Sequence, residues 1–370
     1  MAFDRGSVSF RLFYIDKSCD SSLVTAFARH AAPPITSMLR DPISGWVSGR
    51  HLFDREITDE KCVLGSWLHV QLMRAEKKIP AALLRAHILM EEDIEMRARE
   101  VDYLTRAMKA EVKLRVMESL LPGMPPTLST IPLVVDFRNQ MVLAGALSDK
   151  QIETLGPVFK ETVGTLPKLL TPETAALRRK QINANDLQPV SFSPDSAVEP
   201  SQEVTLGMDF LTWLLFILAQ EEGVYHMSDG SEFGVMLEGP LTFFREGKGA
   251  HEAVLRKGSP LNSHEAATAL YCGKKLRRVK VVIAHKGESY AATMDASFTF
   301  RALKLPRGEQ VDLTGVFCER MLFIENFWSA WLDLYDRFLD LRVNSKKWPQ
   351  TLEAMRAWIM QMNHVPAPQG

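Results

Sequence analysis

The sequence predicts an α+β fold with mixed, mainly antiparallel sheets, one long charged helix and helices in the C-terminal region. Ser7–Ile15 alternates apolar residues with other side chains, as a half-buried strand does. Short turns at Arg138-Asn139-Gln140 and Lys286-Gly287 each separate two β-like runs, which indicates hairpins. Strands and helices do not alternate regularly along the chain, as they do in parallel sheets. We therefore expect antiparallel pairing and not a doubly wound sheet.

Each element is predicted from its periodicity and its flanking turn residues. Strands are predicted at Ser7–Ile15, Val63–Arg74, Ile131–Phe137, Met141–Ala144, Leu166–Leu170, Phe233–Phe244, Ala253–Lys257, Leu276–Ala284 and Ser289–Leu303. Helices are predicted at Ser22–Ala31, Asp149–Val163, Gly207–Ala219, Leu261–Tyr271, Cys318–Val343 and Pro349–Met362, in addition to the long helix at 80–121.

The long helix is predicted because no Pro or Gly lies between Pro80 and Pro122. The acidic run Glu91-Glu92-Asp93 interrupts its apolar stripe, so a kink or two abutting helices is an equally good interpretation. At about 100° per residue, four cations fall within an arc of roughly 80°. They are Arg99, Arg106, Lys109 and Lys113. This basic edge is expected either to contact a partner or to be a solvated, ion-paired surface.

Four regions are expected along the chain. They are an N-terminal α+β region at 1–182 with the long helix, a linker or mobile loop at 183–205, a second α+β region with a basic surface at 206–316, and C-terminal helices with a tail at 317–370. The linker is predicted from a stretch rich in Pro, Ser, Asn and Asp. The most apolar window, Phe210–Ala219, is too short to span a bilayer and is predicted to be a buried helix.

The charge of the chain is segregated. The net charge of the 370 residues is −1, so the whole molecule has no general attraction for nucleic acid. Gly239–Glu309 nevertheless holds 13 Lys and Arg against 6 Asp and Glu, and the excess of negative charge lies elsewhere. Four cysteines without metal-ligand spacing predict free thiols in a reducing cytoplasm.

The sequence offers no recognisable catalytic motif. It lacks a Walker A loop, the zinc-protease motif HExxH, the nucleophile motif GxSxG and a zinc-type Cys and His set. The carboxylates of Glu91-Glu92-Asp93 and Glu95 point to different sides of a helix, so a solvated charge run is favoured over a two-metal nuclease site. We expect a protein that is not an enzyme and needs no cofactor and no metal.

Two groups of cations predict contact with nucleic acid. The first is the basic edge of the long helix, and the second lies in the C-terminal half. The second group consists of Arg245, Lys248, Arg256, Lys257, Lys274, Lys275, Arg277, Arg278 and Lys280. Alternation in the strand places Arg277 on one face with Val279, and Arg278 on the other with Lys280. Cations without Asn, Gln or aromatic residues among them favour phosphate contacts, which carry no sequence information.

Several short motifs follow one another in a defined order. They are Gly45-Trp46-Val47, Glu76-Lys77-Lys78-Ile79-Pro80, Leu104-Thr105-Arg106 with Lys109 and Lys113, Val116, Leu120-Leu121-Pro122, Val134-Val135-Asp136, Met141-Val142-Leu143 and Gly164-Thr165-Leu166-Pro167. In this order and spacing they resemble the RdgC family of recombination-associated proteins, and Asp209–Leu214 resembles a segment of its longer members. The resemblance covers roughly Ser7 to Val343.

The resemblance implies a horseshoe-shaped protomer that closes into a homodimeric ring around double-stranded DNA. It further implies binding without sequence preference, antagonism toward a RecA-type recombinase, and a cytoplasmic, nucleoid-associated location without a membrane. The chain departs from the family at Gly123-Met124-Pro125 and at Gly258, where the family carries basic or aromatic residues. The alternatives are a protein-interaction module that does not bind DNA and, less favoured, a DNA-processing nuclease.

Overall fold

One large sheet organises the molecule. The computed structural model describes residues 3–38, 41–227, 229–245, 251–256 and 263–364. Within these residues, thirteen strands form one sheet in which every pair of strands is antiparallel. The strands are β1 Val8–Tyr14, β2 Ile43–Ser48, β3 Val63–Leu64, β4 Trp67–Lys77, β5 Pro126–Asp136, β6 Met141–Ala144, β7 Lys168–Leu169, β8 Val224–His226, β9 Glu232–Phe244, β10 Glu252–Leu255, β11 Lys275–His285, β12 Glu288–Asp295 and β13 Thr299–Lys304.

Ten α-helices accompany the sheet in the described ranges. They are α1 Leu23–Arg29, α2 Asp59–Cys62, α3 Ala81–Arg99, α4 Arg106–Leu120, α5 Asp149–Val163, α6 Pro172–Lys180, α7 Leu206–Gln220, α8 His264–Tyr271, α9 Leu313–Arg342 and α10 Lys347–His364. The predicted α+β fold with antiparallel pairing is therefore confirmed. No helix in the described part of the chain is long and apolar enough to cross a membrane.

The sheet runs without a break between the two halves of the chain. Its order is β10-β9-β11-β12-β13-β1-β6-β5-β4-β2, so β1 joins the C-terminal strands to the N-terminal ones. At this junction Phe10 faces Phe300, and their parallel rings lie 4.7 Å apart. Stacked aromatic pairs of this kind add to the stabilisation from burying the two rings.

The larger hydrophobic core lies between the sheet and helices α6 to α10. Phe210 of α7 is fully buried, with its ring 5.0 Å from that of Trp331 and 5.1 Å from that of Tyr335 in α9. The Tyr335 hydroxyl donates a hydrogen bond to the carbonyl of Pro172 at 2.9 Å, and burial raises its pKa. The sequence predicts α7 as a buried helix, and this prediction is confirmed.

A second core lies beneath α1 and α5. Trp46 is fully buried, packs edge-on against Phe27 and donates from its indole N–H to the Thr162 hydroxyl at 2.7 Å. Gly45 lies against the backbone of Ala32, where a side chain would collide. The Gly-Trp-Val motif is thus a packing element, in which glycine permits a close approach and tryptophan fills the core.

The stretch predicted to be a linker or mobile loop is packed against the larger core. Phe192 is 2% exposed, and its ring lies edge-on to Trp348 of α10. The guanidinium of Arg356 donates to the Ser191 carbonyl at 2.9 Å. The segment has little regular secondary structure but its backbone and side chains are anchored to neighbouring helices.

His69 links the N-terminal sheet to α9. Its ring is 2% exposed and stacks on Phe317 with 4.8 Å between the ring centroids. Its Nδ1 lies 3.4 Å from Asp4 Oδ1, while its Nε2 has no hydrogen-bond partner among the described residues. Burial holds the pKa of His69 below its ordinary value, although the carboxylate of Asp4 partly opposes this.

We expect acid to weaken the fold through His69. Below its ordinary pKa near 6.5 the unfolded chain binds a proton that the folded chain excludes, so the stability is fully present above that pH and falls as the pH drops below it. The free energy of unfolding in urea should be lower at pH 5.5 than at pH 7.5, by at most about 1 kcal/mol from this group alone. His69→Gln should reduce that difference, whereas His226→Gln, with a side chain 72% exposed, should not. Equal pH dependence in all three proteins would contradict the assignment.

Candidate nucleic-acid interface

The predicted single helix at 80–121 is wrong, because the chain folds there into two helices that form a hairpin. α3 ends where Glu100 adopts the left-handed conformation with φ of 54°, and α4 begins after Thr105. The Thr105 hydroxyl accepts a hydrogen bond from the Met108 N–H and so caps α4. The alternative of two helices is confirmed, but the break lies after Glu100 and not at the acidic run.

The two helices of this hairpin pack on each other through their own apolar seam. Leu104, Val112 and Val116 are buried, and the apolar side chains around them come from both helices. This cluster is separate from the cores beneath the sheet. The hairpin is inserted between β4 and β5, and the ammonium of Lys77 at the end of β4 donates to the Pro122 carbonyl at 2.7 Å.

Ion pairs between α3 and α4 use much of the predicted basic edge. Glu95 accepts from Arg99 at 2.6 Å and from Arg115 at 2.7 Å, and Glu92 lies 3.4 Å from Lys109. The hydrogen bond from Arg115, followed by that from Arg99, holds the pKa of Glu95 below its usual range. The acidic run of α3 therefore neutralises cations of the same hairpin.

Arg106 and Lys113 are the members of the basic edge with no ion pair among the described residues. Both side chains are exposed on α4, where about two helical turns separate them. Arg85 on α3 is also exposed, but its position along the sequence does not place it on the basic edge. An exposed cation without a carboxylate partner can bind a phosphate without first breaking an ion pair.

The second basic group is divided by the fold. Lys275 is buried and its ammonium lies 2.6 Å from Asp209 Oδ1 inside the core, so it does not belong to a surface for DNA. Lys280 forms an ion pair with Glu238. Arg245 donates to the Cys272 carbonyl at 2.9 Å. Lys274 and Arg256 lie at the surface or near it, while Lys248 and Lys257 lie outside the described residues.

A bulge in β11 changes which side chains share a face. The pairing of β11 with β9 shifts between Leu276 and Arg278 and again between Arg278 and Lys280. Arg277 is consequently exposed although Val279, two residues on, is buried. The prediction that Arg277 shares a face with Val279 is wrong, because a bulge breaks the alternation of the strand. Arg277 instead lies over the ring of Phe244, 4.7 Å from its centroid.

Two arginines that the sequence does not single out lie beside Arg277 and Arg278. Arg11 comes from β1 and Arg301 from β13, and all four line one cavity. Arg11 is distant in sequence from the other three, so only the sheet order brings them together. The second basic group therefore divides into two sets. Arg277 and Arg278 belong to an arginine-rich cavity, and the other cations are scattered and partly paired.

No group of three or more His, Cys, Asp or Glu side chains in the described ranges is arranged to hold a metal ion. The four cysteines are free thiols. Burial raises the pKa of Cys19, Cys62 and Cys318.

A comparison with protein families gives one match. Residues 10–182 match the family model RdgC, whose description is "Putative exonuclease, RdgC". No curated protein matches the chain. The matched region begins within β1, continues through the helical hairpin to β7, and ends just after α6.

Proposed function

We propose, from the match of residues 10–182 to the RdgC family model, that this chain binds double-stranded DNA without sequence preference and modulates homologous recombination. The observation that carries the proposal is the helical hairpin, on which Arg106 and Lys113 are exposed and form no ion pair with any carboxylate that the structure describes. Both residues match the family's basic positions. The general role that we propose is DNA binding in recombination. We further propose that the protein forms a ring and restrains a RecA-type recombinase.

Phosphate contacts explain the lack of sequence preference. Arg and Lys side chains on the outer surface of a helix neutralise phosphates, and the counterions that they release make the affinity depend steeply on salt. Reading a base needs polar side chains that reach into a groove, and the basic edge of α4 offers none beside its cations. The affinity should therefore be nearly equal for unrelated sequences.

The direct experiment measures binding to two unrelated duplexes of equal length between 50 and 200 mM salt. We expect similar affinities and a linear fall of log affinity with log salt, at a slope near −0.9 for each phosphate contact. An affinity that is absent at every salt concentration would favour the alternative, a protein-interaction module. A strong preference for one duplex would contradict backbone contact.

The proposed assembly is a homodimeric ring. The apolar face of α9 is not available for a subunit junction, because Phe317, Phe327 and Trp331 on that face are buried in the protomer's own core. The exposed apolar residues of the hairpin offer a better surface, since Met90 and Ile94 of α3 are 49% and 53% exposed. Light scattering at micromolar concentration should give the mass of two chains. A monomer would contradict a stable ring.

We propose that the protein acts by occupying DNA, in the cytoplasm, and does not cleave it. The family description names an exonuclease, so the same duplexes should be incubated with Mg²⁺ and with Mn²⁺ and analysed for loss of end-labelled strands. We expect intact DNA and no hydrolysis of ATP. Strand loss that follows the purified protein and stops after a single carboxylate substitution would replace the proposed function with a nuclease.

A further inference from the structure

We propose that the cavity lined by Arg11, Arg277, Arg278 and Arg301 is a binding site for a phosphate group. The cavity has a volume of about 440 Å³ and lies where the turn between β12 and β13 meets the first residues of α7. This cavity is separate from the DNA surface proposed on the helical hairpin, because its arginines lie on strands of the sheet, among them Arg11 on β1 and Arg301 on β13. A planar guanidinium can donate two parallel hydrogen bonds to a pair of phosphate oxygens, and four guanidinium-bearing side chains line this cavity.

The sheet fixes the position of these arginines. In the strand pairing Arg11 lies opposite Thr299, and Arg278 lies opposite Asp295. The Nε of Arg11 donates to the Thr299 hydroxyl at 2.8 Å, and only 8% of the Arg11 residue is exposed. Side chains held on paired strands lose little further freedom when an anion binds, which favours affinity.

Carboxylates form ion pairs with two of the four arginines, and Arg277 and Arg278 have no ion pair among the described residues. Asp295 uses Oδ1 to accept hydrogen bonds from Ser297 and from the Thr299 N–H, and its Oδ2 lies 3.6 Å from Arg301 Nε. Glu173 also lines the cavity. Outside it, Asp149 lies 3.5 Å from Arg11, but its side chain is 91% exposed and therefore well solvated. Four cations and two lining carboxylates leave a net positive charge at the cavity.

Unused donors point to an anionic ligand. The Nε atom of Arg278 is buried and has no hydrogen-bond partner among the described residues. The buried Nε of Arg301 lies 3.6 Å from Asp295 Oδ2, within an ion pair but too far for a hydrogen bond. A buried donor without a partner costs free energy, and guanidinium groups can only donate. An anion with several acceptor oxygens would satisfy these donors and relieve the repulsion between the arginines. Phosphate and pyrophosphate have this chemistry.

The size of the cavity favours a small phosphorylated molecule, because volumes of 300 to 1,000 Å³ are usual for such ligands. The side chains of Phe244 and Met208 also line the cavity and add apolar surface beside the cations. A phosphate of the DNA backbone has the same chemistry, so the experiment has to separate these two sources.

The test is calorimetric titration with pyrophosphate, without DNA, at constant ionic strength set by chloride. We expect one saturable site per chain. Arg277→Gln with Arg278→Gln should weaken the affinity at least tenfold. The matched control Arg85→Gln with Arg97→Gln removes the same charge from exposed positions of α3 and should leave the affinity unchanged. Absence of a saturable site, or equal weakening in both double variants, would overturn the proposal.

A single variant protects the test against misfolding. The Arg277 side chain is exposed, so Arg277→Gln should keep the melting temperature and still weaken pyrophosphate binding at least threefold; unchanged binding would count against the site. Closed circular duplex DNA added to the pyrophosphate complex then identifies the source. Displacement of pyrophosphate assigns the cavity to the DNA backbone, and retention assigns it to a small phosphorylated molecule. Because the titration contains no DNA, its result does not depend on whether the proposed DNA binding is correct.

Discussion

Replacing Lys275 by Met should lower the free energy of unfolding by about 3–5 kcal/mol, measured in urea at neutral pH. The ammonium of Lys275 lies 2.6 Å from Asp209 Oδ1 and 3.0 Å from the Thr205 hydroxyl, and the Asp209 side chain is fully buried. Removal of the ammonium leaves the carboxylate charged in a nonpolar environment. Asp209 Oδ2 already lacks a hydrogen-bond partner in the described part of the chain, and the carboxylate would keep only the Thr205 hydroxyl, 3.2 Å from Oδ1, as a donor.

Two further variants separate the loss of the ion pair from the loss of packing. Lys275→Met combined with Asp209→Leu should recover much of the stability, because a buried ion pair replaced as a whole by apolar residues is often close to neutral. The exposed pair Lys168 and Asp16 has the same distance of 2.6 Å, with both side chains 52% exposed. Lys168→Met should therefore change the stability far less, since solvent screens exposed charges. Similar losses for Lys275→Met and Lys168→Met would contradict this account.

Lys275 also shows what a sequence cannot give. In the sequence it belongs to a run of cations from Lys274 to Lys280 and is indistinguishable from its neighbours. Its partner Asp209 lies 66 positions away on α7, and only the packing of α7 on β11 brings the two together. Ion pairs of this kind depend on tertiary structure, so charge patterning alone could not separate the buried lysine from the exposed arginines beside it.

Local signals explain what could be predicted. The turn at Lys286-Gly287 was predictable because glycine favours the positive φ that a two-residue hairpin requires. In the structure both residues adopt positive φ. The helix at Asp149–Val163 has the predicted bounds, and Ser148 and Gln151 form a capping box at its start.

The break in the long helix lacks such a signal. Glu100 adopts a left-handed conformation that glycine or asparagine usually adopts, and no Pro or Gly marks the turn. Packing decides here, because folding back buries Leu104, Val112 and Val116 in a seam that one extended helix would leave in water. The sequence also could not show what covers the aromatic residues of α9. An apolar face predicts burial, but not whether the covering surface belongs to the same chain.

Replacing Arg106, Lys109 and Lys113 together by Ala should weaken binding to every duplex by roughly 10²-fold at 0.1 M salt. Each phosphate contact contributes a slope near −0.9, so the plot of log affinity against log salt should become flatter by up to about three units. The single variant Lys109→Ala should have a smaller effect than Arg106→Ala, because Glu92 lies 3.4 Å from the Lys109 ammonium and competes with DNA for it.

The matched control is Lys17→Ala with Lys150→Ala and Lys160→Ala, which removes the same charge from exposed positions away from the hairpin. It should leave the slope nearly unchanged. Fold retention can be verified by the urea midpoint, because none of the substituted side chains belongs to a core. If the hairpin variant is folded and keeps the affinity and slope of the unmodified protein, then the hairpin is a scaffold. The DNA surface would then lie among the cations around β11, where Arg277 and Arg278 would be the next residues to replace.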